Sequence, residues 1–190
     1  MSNNSSSSFL EVSIGPKNEK KQKTTYTILF YLNIALIVLS IGCFINAFYV
    51  SNLFWFPFAL LLFFDIVVSV FKRKCYNFYD YAFILGSVRT HVVINNKKSK
   101  PFAYFDCNKI LQAGNVNSDF YVRNSYNKQY KVYVATPNEL TEYDPIFLVQ
   151  GEKEVKIIAL QFNEKFLSKI LSCSSLQKFD RDYLKLISNK

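Results

Sequence analysis

The stretch LLLFFDIVVSVFKRKC, Leu60–Cys75, decides how the rest of the chain is read. It is uncharged up to Phe71 except for one carboxylate, Asp65, and then turns basic at Lys72, Arg73 and Lys74. An α-helix needs about 20 predominantly apolar residues to cross the ~30 Å hydrocarbon core of a bilayer. Taken back to Leu53, this run is long enough. A second one stands just ahead of it: no charged residue occurs from Tyr26 to Val50, and only Ser51-Asn52 separates the two. The pattern predicts a tight helical hairpin with spans at about 26–50 and 53–71. Two such helices could not both be buried inside a water-soluble chain of 190 residues.

The flanking charges set the orientation. Lys17, Lys20, Lys21 and Lys23 precede the first span, Lys72, Arg73 and Lys74 follow the second, and the turn has neither Lys nor Arg. Basic residues are retained on the cytoplasmic side. The expectation is a multi-pass protein of the cell membrane with both termini cytoplasmic. Tyr49, Phe54, Trp55 and Phe56 at the turn suit the far interface, where aromatic rings favour half-wet settings. Pro57 falls in the first turn of its helix, where a missing N–H does little harm. A cleaved leader fits less well, because its apolar core would be only 7–15 residues long. The tetrapeptide SIGC at Ser40–Cys43 lacks the aliphatic residue that a lipoprotein signal places at its start.

Asp65 lies seven residues before Lys72, about 10 Å inside the cytoplasmic end at 1.5 Å per residue. Asn33 stands at the equivalent depth on the antiparallel neighbour, so the two side chains are expected to meet across the hairpin. Such interhelical hydrogen bonds contribute about 0.6–2 kcal/mol. An intramembrane acid also raises the ideas of an oligomer contact or a proton relay. Relays use several ionisable groups at graded depths, whereas Ser40, Asn46 and Ser69 do not titrate. Lys72 is long enough to reach back toward Asp65.

Composition limits the partners. The net charge is +9, half the residues are hydrophobic and 17% are aromatic. The basic excess is nearly all Lys, with arginine only at positions 73, 89, 123 and 181, and its densest clusters flank the apolar block. A nucleic-acid footprint would instead gather Arg and Lys on one face, so no nucleic-acid partner is expected. The four cysteines form no C-x-x-C pair and His91 is the sole histidine, which argues against a zinc site, and no metal site is predicted. No disulfide framework shows, in keeping with a reducing compartment. Cys75, just past the second span, is placed where S-acylation occurs in some proteins.

From residue 76 the periodicity changes. YDYAFILGS (79–87) and RTHVVINN (89–96) read as strands around a Gly-Ser turn, followed by FAYFDC. NKILQAG reads as a short helix, and FYVRN and KQYKVYVA as strands. The acidic loop NELTEYDP reads as solvated. IFLVQ-GEKE-VKIIALQF is the clearest hairpin, with β-branched residues on both sides of Gly151. Asn163 is the expected N-cap of a helix with Phe166, Leu167, Ile170 and Leu171 on one stripe. FDRDYLKLI adds a second amphipathic helix. About seven strands ending in helices predict an α+β soluble domain, a small antiparallel barrel or sandwich compatible with a pleckstrin-homology-like (PH-like) fold. The chain thus divides into a polar, partly disordered lead (1–24), a two-helix membrane hairpin (25–74) and a cytosolic β-rich domain with C-terminal helices (75–190). Ahead of the first span, FLEVSIGP alternates in a way that suits an added strand or an interfacial segment.

No G-x-S-x-G, P-loop or H-E-x-x-H pattern occurs, so no enzyme, catalytic residue or cofactor is predicted. Lys97, Lys98 and Lys100, between two strands, are candidate contacts for an anion or lipid headgroup. The expected function is a membrane-tethered, non-enzymatic binding or accessory module, meeting the bilayer and either a protein partner, a second copy in the membrane or the anionic surface. The alternative is a small subunit of a transporter or other membrane complex that uses Asp65 at an interhelix contact.

The two spans, with YDYAFILGSVRTHVVINNKKSKPFAYFDCNKI (79–110) and IFLVQGEKEVKIIALQFNEKFLSKI (146–170), resemble an uncharacterised family of small bacterial two-span membrane proteins. Those proteins carry a cytosolic domain of unknown function. The likeness covers most of residues 26–172, and it implies no activity and no functional residues.

Overall fold

A computed structural model describes residues 9–95, 97–125, 129–152 and 154–189. The serine-rich start, where disorder is expected, lies outside them. The chain forms two compact units. One comprises the chain up to Gly15, Phe78–Val93 and Lys97–Lys190; the other comprises Pro16–Asn77 with Ile94–Asn96.

The helical unit is a hairpin of α1 (Glu19–Tyr49) and α2 (Trp55–Cys75), joined through a 3-10 turn at Asn52–Phe54. Burial along both helices follows a three-four spacing, beside which Gly42 and Asn46 on α1 and Val67 and Ser69 on α2 are also half-buried. On α1 the inward positions are Tyr26, Leu29, Asn33, Leu36, Ser40, Cys43 and Ala47; on α2 they are Phe58, Leu61, Asp65, Val68, Lys72 and Cys75. A 3.5-residue repeat keeps one seam facing the partner helix. Small and polar side chains at Asn33, Ser40 and Ala47, which are buried, let the backbones approach. At the turn, Trp55 meets Phe44 and Phe48 edge-on, at centroid distances of 5.8 and 5.3 Å. Most positions outside the seam are exposed and, through the apolar runs, mostly large and hydrophobic: Ile28, Val38, Leu39, Phe48, Phe63 and Ile66 among others.

The β unit has two four-stranded sheets. The first runs β1-β2-β3-β4: Phe9–Ile14, Asn77–Ile84, Ser87–Ile94 and Lys98–Asp106. The second runs β5-β7-β8-β6: Ile110–Gly114, Ile146–Gln150, Val155–Leu160 and Lys131–Ala135. Their inner faces share a core that includes Tyr81, Phe83, Phe105, Phe147 and Ile158. Helices α4 (Glu164–Cys173) and α5 (Arg181–Ser188) add Phe166, Ile170 and Tyr183 to it. Asn163 caps α4 by accepting from the Phe166 N–H at 3.0 Å. Asp180 caps α5 through the Asp182 N–H at 2.9 Å.

Four sequence expectations need correction. FYVRN is not a strand: Asp119–Asn124 is a helix, α3, because Phe120 and Tyr121 cover the outer face of the second sheet while Val122 and Arg123 stay exposed. NKILQAG is not a helix: a 3-10 turn at Cys107–Lys109 leads into β5, whose Ala113 and Gly114 are buried in pairing with β7. The sandwich is not wholly antiparallel: β8 folds back from β7 and lands beside β6, which it pairs in parallel. The acidic loop is not simply solvated, since Asp144 is 1% exposed.

The lead also divides. Phe9–Ile14 pairs antiparallel with β2, from Phe9 opposite Ile84 to Ile14 opposite Tyr79, and sends Leu10, Val12 and Ile14 into the core. In chain order the helical hairpin is therefore an insertion between two adjacent strands of one sheet. Leu85 and Gly86 turn β2 into β3 with φ of 48° and 82°. Glycine adopts this left-handed conformation freely, whereas leucine pays for it.

Candidate functional site

The structure brings Asn33 and Asp65 together in the hairpin seam. The Asn33 Nδ2 group donates to the Asp65 carboxylate and, at 3.0 Å, to Ser69 Oγ. Lys72 reaches Asn33 rather than Asp65, donating through Nζ to Asn33 Oδ1 at 2.5 Å. Asn33 thus stands between Asp65 and Lys72 and uses both ends of its amide, a role that only its donor-and-acceptor chemistry allows. The helix ends carry the other basic residues, Lys20, Lys21, Lys23, Arg73 and Lys74, all exposed. Glu19 lies among them and accepts from the Tyr76 hydroxyl at 2.8 Å. That bond, with desolvation second, raises the tyrosine above its ordinary pKa.

In the β unit, Lys97, Lys98 and Lys100 are exposed. Lys98 and Lys100 lie on the first residues of β4, an edge strand, and none of the three lines the cleft that opens beside that strand. His91 is half-buried on β3. Among the described residues no three His, Cys, Asp or Glu side chains are placed to hold a metal ion. Of the cysteines, Cys107 is buried, which pushes its thiol up to about 12, and Cys173 is exposed.

A feature that the sequence reading missed is a cleft of about 430 Å³ where the two sheets part. Phe102 on β4 packs edge-on against Tyr133 on β6 at 5.8 Å, holding the two edges together at that point. Beyond it the strands separate. Phe105 and Val149 line the cleft, with Asp106, Lys109, Glu152 and Lys156 around it. Asp106 pairs with Lys109 at 3.3 Å. Hydrogen bonds from Tyr104 and then Ser87 are the main causes holding its carboxyl below the usual carboxylate range. Lys131 pairs with Glu154 at 2.7 Å. Sequence signals for this cleft are weak, because its walls come from β4, β6 and the β7–β8 hairpin, far apart in the chain.

Two polar anchors fix those walls. The buried Tyr81 hydroxyl donates to the Ala135 carbonyl and accepts from the Gln161 N–H at 3.0 Å, linking the first sheet to the second. Asp144 accepts from the Thr141 N–H and hydroxyl and from the Phe162 N–H.

Two packed four-stranded sheets with C-terminal helices against their shared core are in keeping with a PH-like fold. A family described as a bacterial PH-like domain of unknown function (DUF6106) matches residues 6–179, and the chain belongs to that family. No curated protein and no solved structure matches it. PH-like domains are generally non-catalytic, so membership supports a non-enzymatic binding module in general.

Proposed function

We propose that this protein is a membrane-anchored binding module: the helical hairpin crosses the cell membrane and holds the PH-like unit at its cytoplasmic face. The observation that carries this reading is the surface of α1 and α2. Outside a polar seam that satisfies itself, the hairpin presents a continuous apolar exterior, with Val38, Phe48, Phe56 and Ile66 all more than 60% exposed. Water-soluble proteins rarely expose apolar patches beyond a few hundred Å². Lys17, Lys20, Lys21, Lys23, Lys72, Arg73 and Lys74 at the open end favour anionic cytoplasmic headgroups, each by about 1 kcal/mol near the surface. The reading requires both strands that flank the hairpin, β1 and β2, to lie on one side of the bilayer, and their pairing in one sheet is in keeping with that. Asp65 meets its partners inside a single hairpin, which favours an anchor over a transporter subunit.

The test is extraction of native membranes with alkaline carbonate. An integral anchor stays in the pellet, with or without an Asp65→Asn change. Release of the protein into the supernatant would sink the reading.

A further inference from the structure

We propose that Lys97 and Lys98, where β3 turns into β4, act with the basic open end of the hairpin as one contact surface for the anionic headgroups of the bilayer. The inference rests on the anchor reading and extends the lipid contact from the hairpin to a turn between two sheet strands.

Two hydrogen bonds tie the turn to that end. The Asn95 N–H donates to the Tyr76 carbonyl at 2.9 Å, and the Tyr76 hydroxyl donates to Glu19, at the start of α1, at 2.8 Å. Tyr76 is itself buried and stands directly after α2. Ile94–Asn96 accordingly forms one compact unit with the hairpin, although the chain on both sides of it belongs to the other unit. Lys98 follows Asn95 by three residues, and a chain of that length spans at most about 11 Å. Tyr76 in turn lies four residues beyond Lys72, about 6 Å at the helical rise. The tether alone therefore keeps both lysines near the open end of the hairpin.

Charge names the occupant. No Asp or Glu occurs from Ile84 to Phe105, and Pro16–Asn77 contains only Glu19 and Asp65. Glu19 is engaged by Tyr76, and Asp65 sits in the seam with Asn33. Lys97 and Lys98 are exposed. Among the described residues neither they nor Lys20, Lys21, Arg73 and Lys74 enter an ion pair. The cleft is different, since Lys109 is paired there with Asp106. Cations without counter-ions within a Debye length of a bilayer are drawn to its anionic lipids. Those headgroups are at hand whenever the hairpin is inserted, whereas an acidic partner or a free phosphate must arrive from solution and compete with them.

The experiment places the full chain in nanodiscs of phosphatidylcholine alone, and of phosphatidylcholine with equal phosphatidylglycerol. An amine-reactive acetylating ester is added, and each lysine is followed by peptide mass spectrometry. Lys97 and Lys98 should react at least about fivefold more slowly in the anionic discs. Lys109 is the internal reference. It follows Cys107, whose N–H donates to Gly86 at the far end of β3, eight residues and about 26 Å of strand from the turn. Its rate should not change. Salt at about 1 M, which shortens the Debye length to about 3 Å, should abolish the difference at Lys97 and Lys98. Glycerol phosphate added to phosphatidylcholine discs offers the same phosphate without the anionic bilayer and should not slow either lysine. Equal rates at Lys97 and Lys98 in the two discs, equal slowing of Lys109, a difference that survives salt, or protection by glycerol phosphate overturns the proposal. Slowing of Lys20 and Lys21 without Lys97 and Lys98 removes only this inference. A chain that stays out of the discs removes the anchor reading, and this inference with it.

Discussion

Asp65 in the hairpin is half-buried and Asp144 in the β unit is buried, and the groups that meet them differ in kind. Asp65 is met by a side chain, Asn33, which Ser69 and Lys72 in turn engage. Asp144 is met mainly by backbone: the N–H groups of Thr141 and Phe162, with the Thr141 hydroxyl as the third donor. Side chains on two long helices can re-pair when one of them changes, and interhelical hydrogen bonds are correspondingly modest. Backbone donors in a folded loop have nowhere else to turn, and each one left unpaired costs about 1–3 kcal/mol. The hairpin therefore uses polarity to choose a register. The β unit uses it to hold its structure together.

The largest test of that division is to separate the two units. A fragment starting at Tyr76 would lose β1 and, with it, Leu10, Val12 and Ile14 from the core. At about 1 kcal/mol or more for each half-buried side chain, plus the β1–β2 ladder, that fragment should be unfolded or aggregated by circular dichroism. Replacing Gly15–Phe78 by an Asn-Gly turn should instead give a soluble, folded unit, since Ile14 already stands opposite Tyr79 and Asn-Gly favours the two-residue hairpin. A stable Tyr76 fragment alongside an insoluble turn variant would break the comparison.

Within the units the expected effects shrink in order. Asp144→Ala strands three donors and should lower the unfolding free energy of the β unit by about 3 kcal/mol, read by denaturant titration. Asp65→Leu should cost the hairpin only about 0.6–2 kcal/mol and leave membrane insertion intact, read by helix association in detergent. A cost at position 65 matching that at 144 would erase the distinction. Leu85→Asn should raise stability by about 0.5–1 kcal/mol, because asparagine tolerates the left-handed backbone better than leucine does.

The same contrast explains what could be read from the sequence. Asp65 stood out because its neighbours are apolar for a dozen residues, and depth counting from the helix ends reached Asn33. The hairpin β7–β8 and the cap Asn163 were equally readable, since each is a local pattern. Asp144 gave no such signal inside an acidic loop, where burial is decided by Phe162 and Tyr183 from later in the chain. FYVRN and NKILQAG are too short for periodicity to separate helix from strand, and their states were set by the sheet face or neighbouring strand each one meets. The cleft beside β6 was unreadable because it belongs to a strand order, β5-β7-β8-β6, that no local pattern encodes.

The most direct measurement is two-sided thiol labelling in intact cells with an impermeant maleimide. The turn residue Asn52 and Cys173 are exposed, so an Asn52→Cys variant supplies the outer reporter and native Cys173 the inner one. The membrane-anchor account predicts that position 52 reacts at once while Cys173 reacts only after the membrane is opened. Labelling of Cys173 from outside, or of both positions alike, would contradict it.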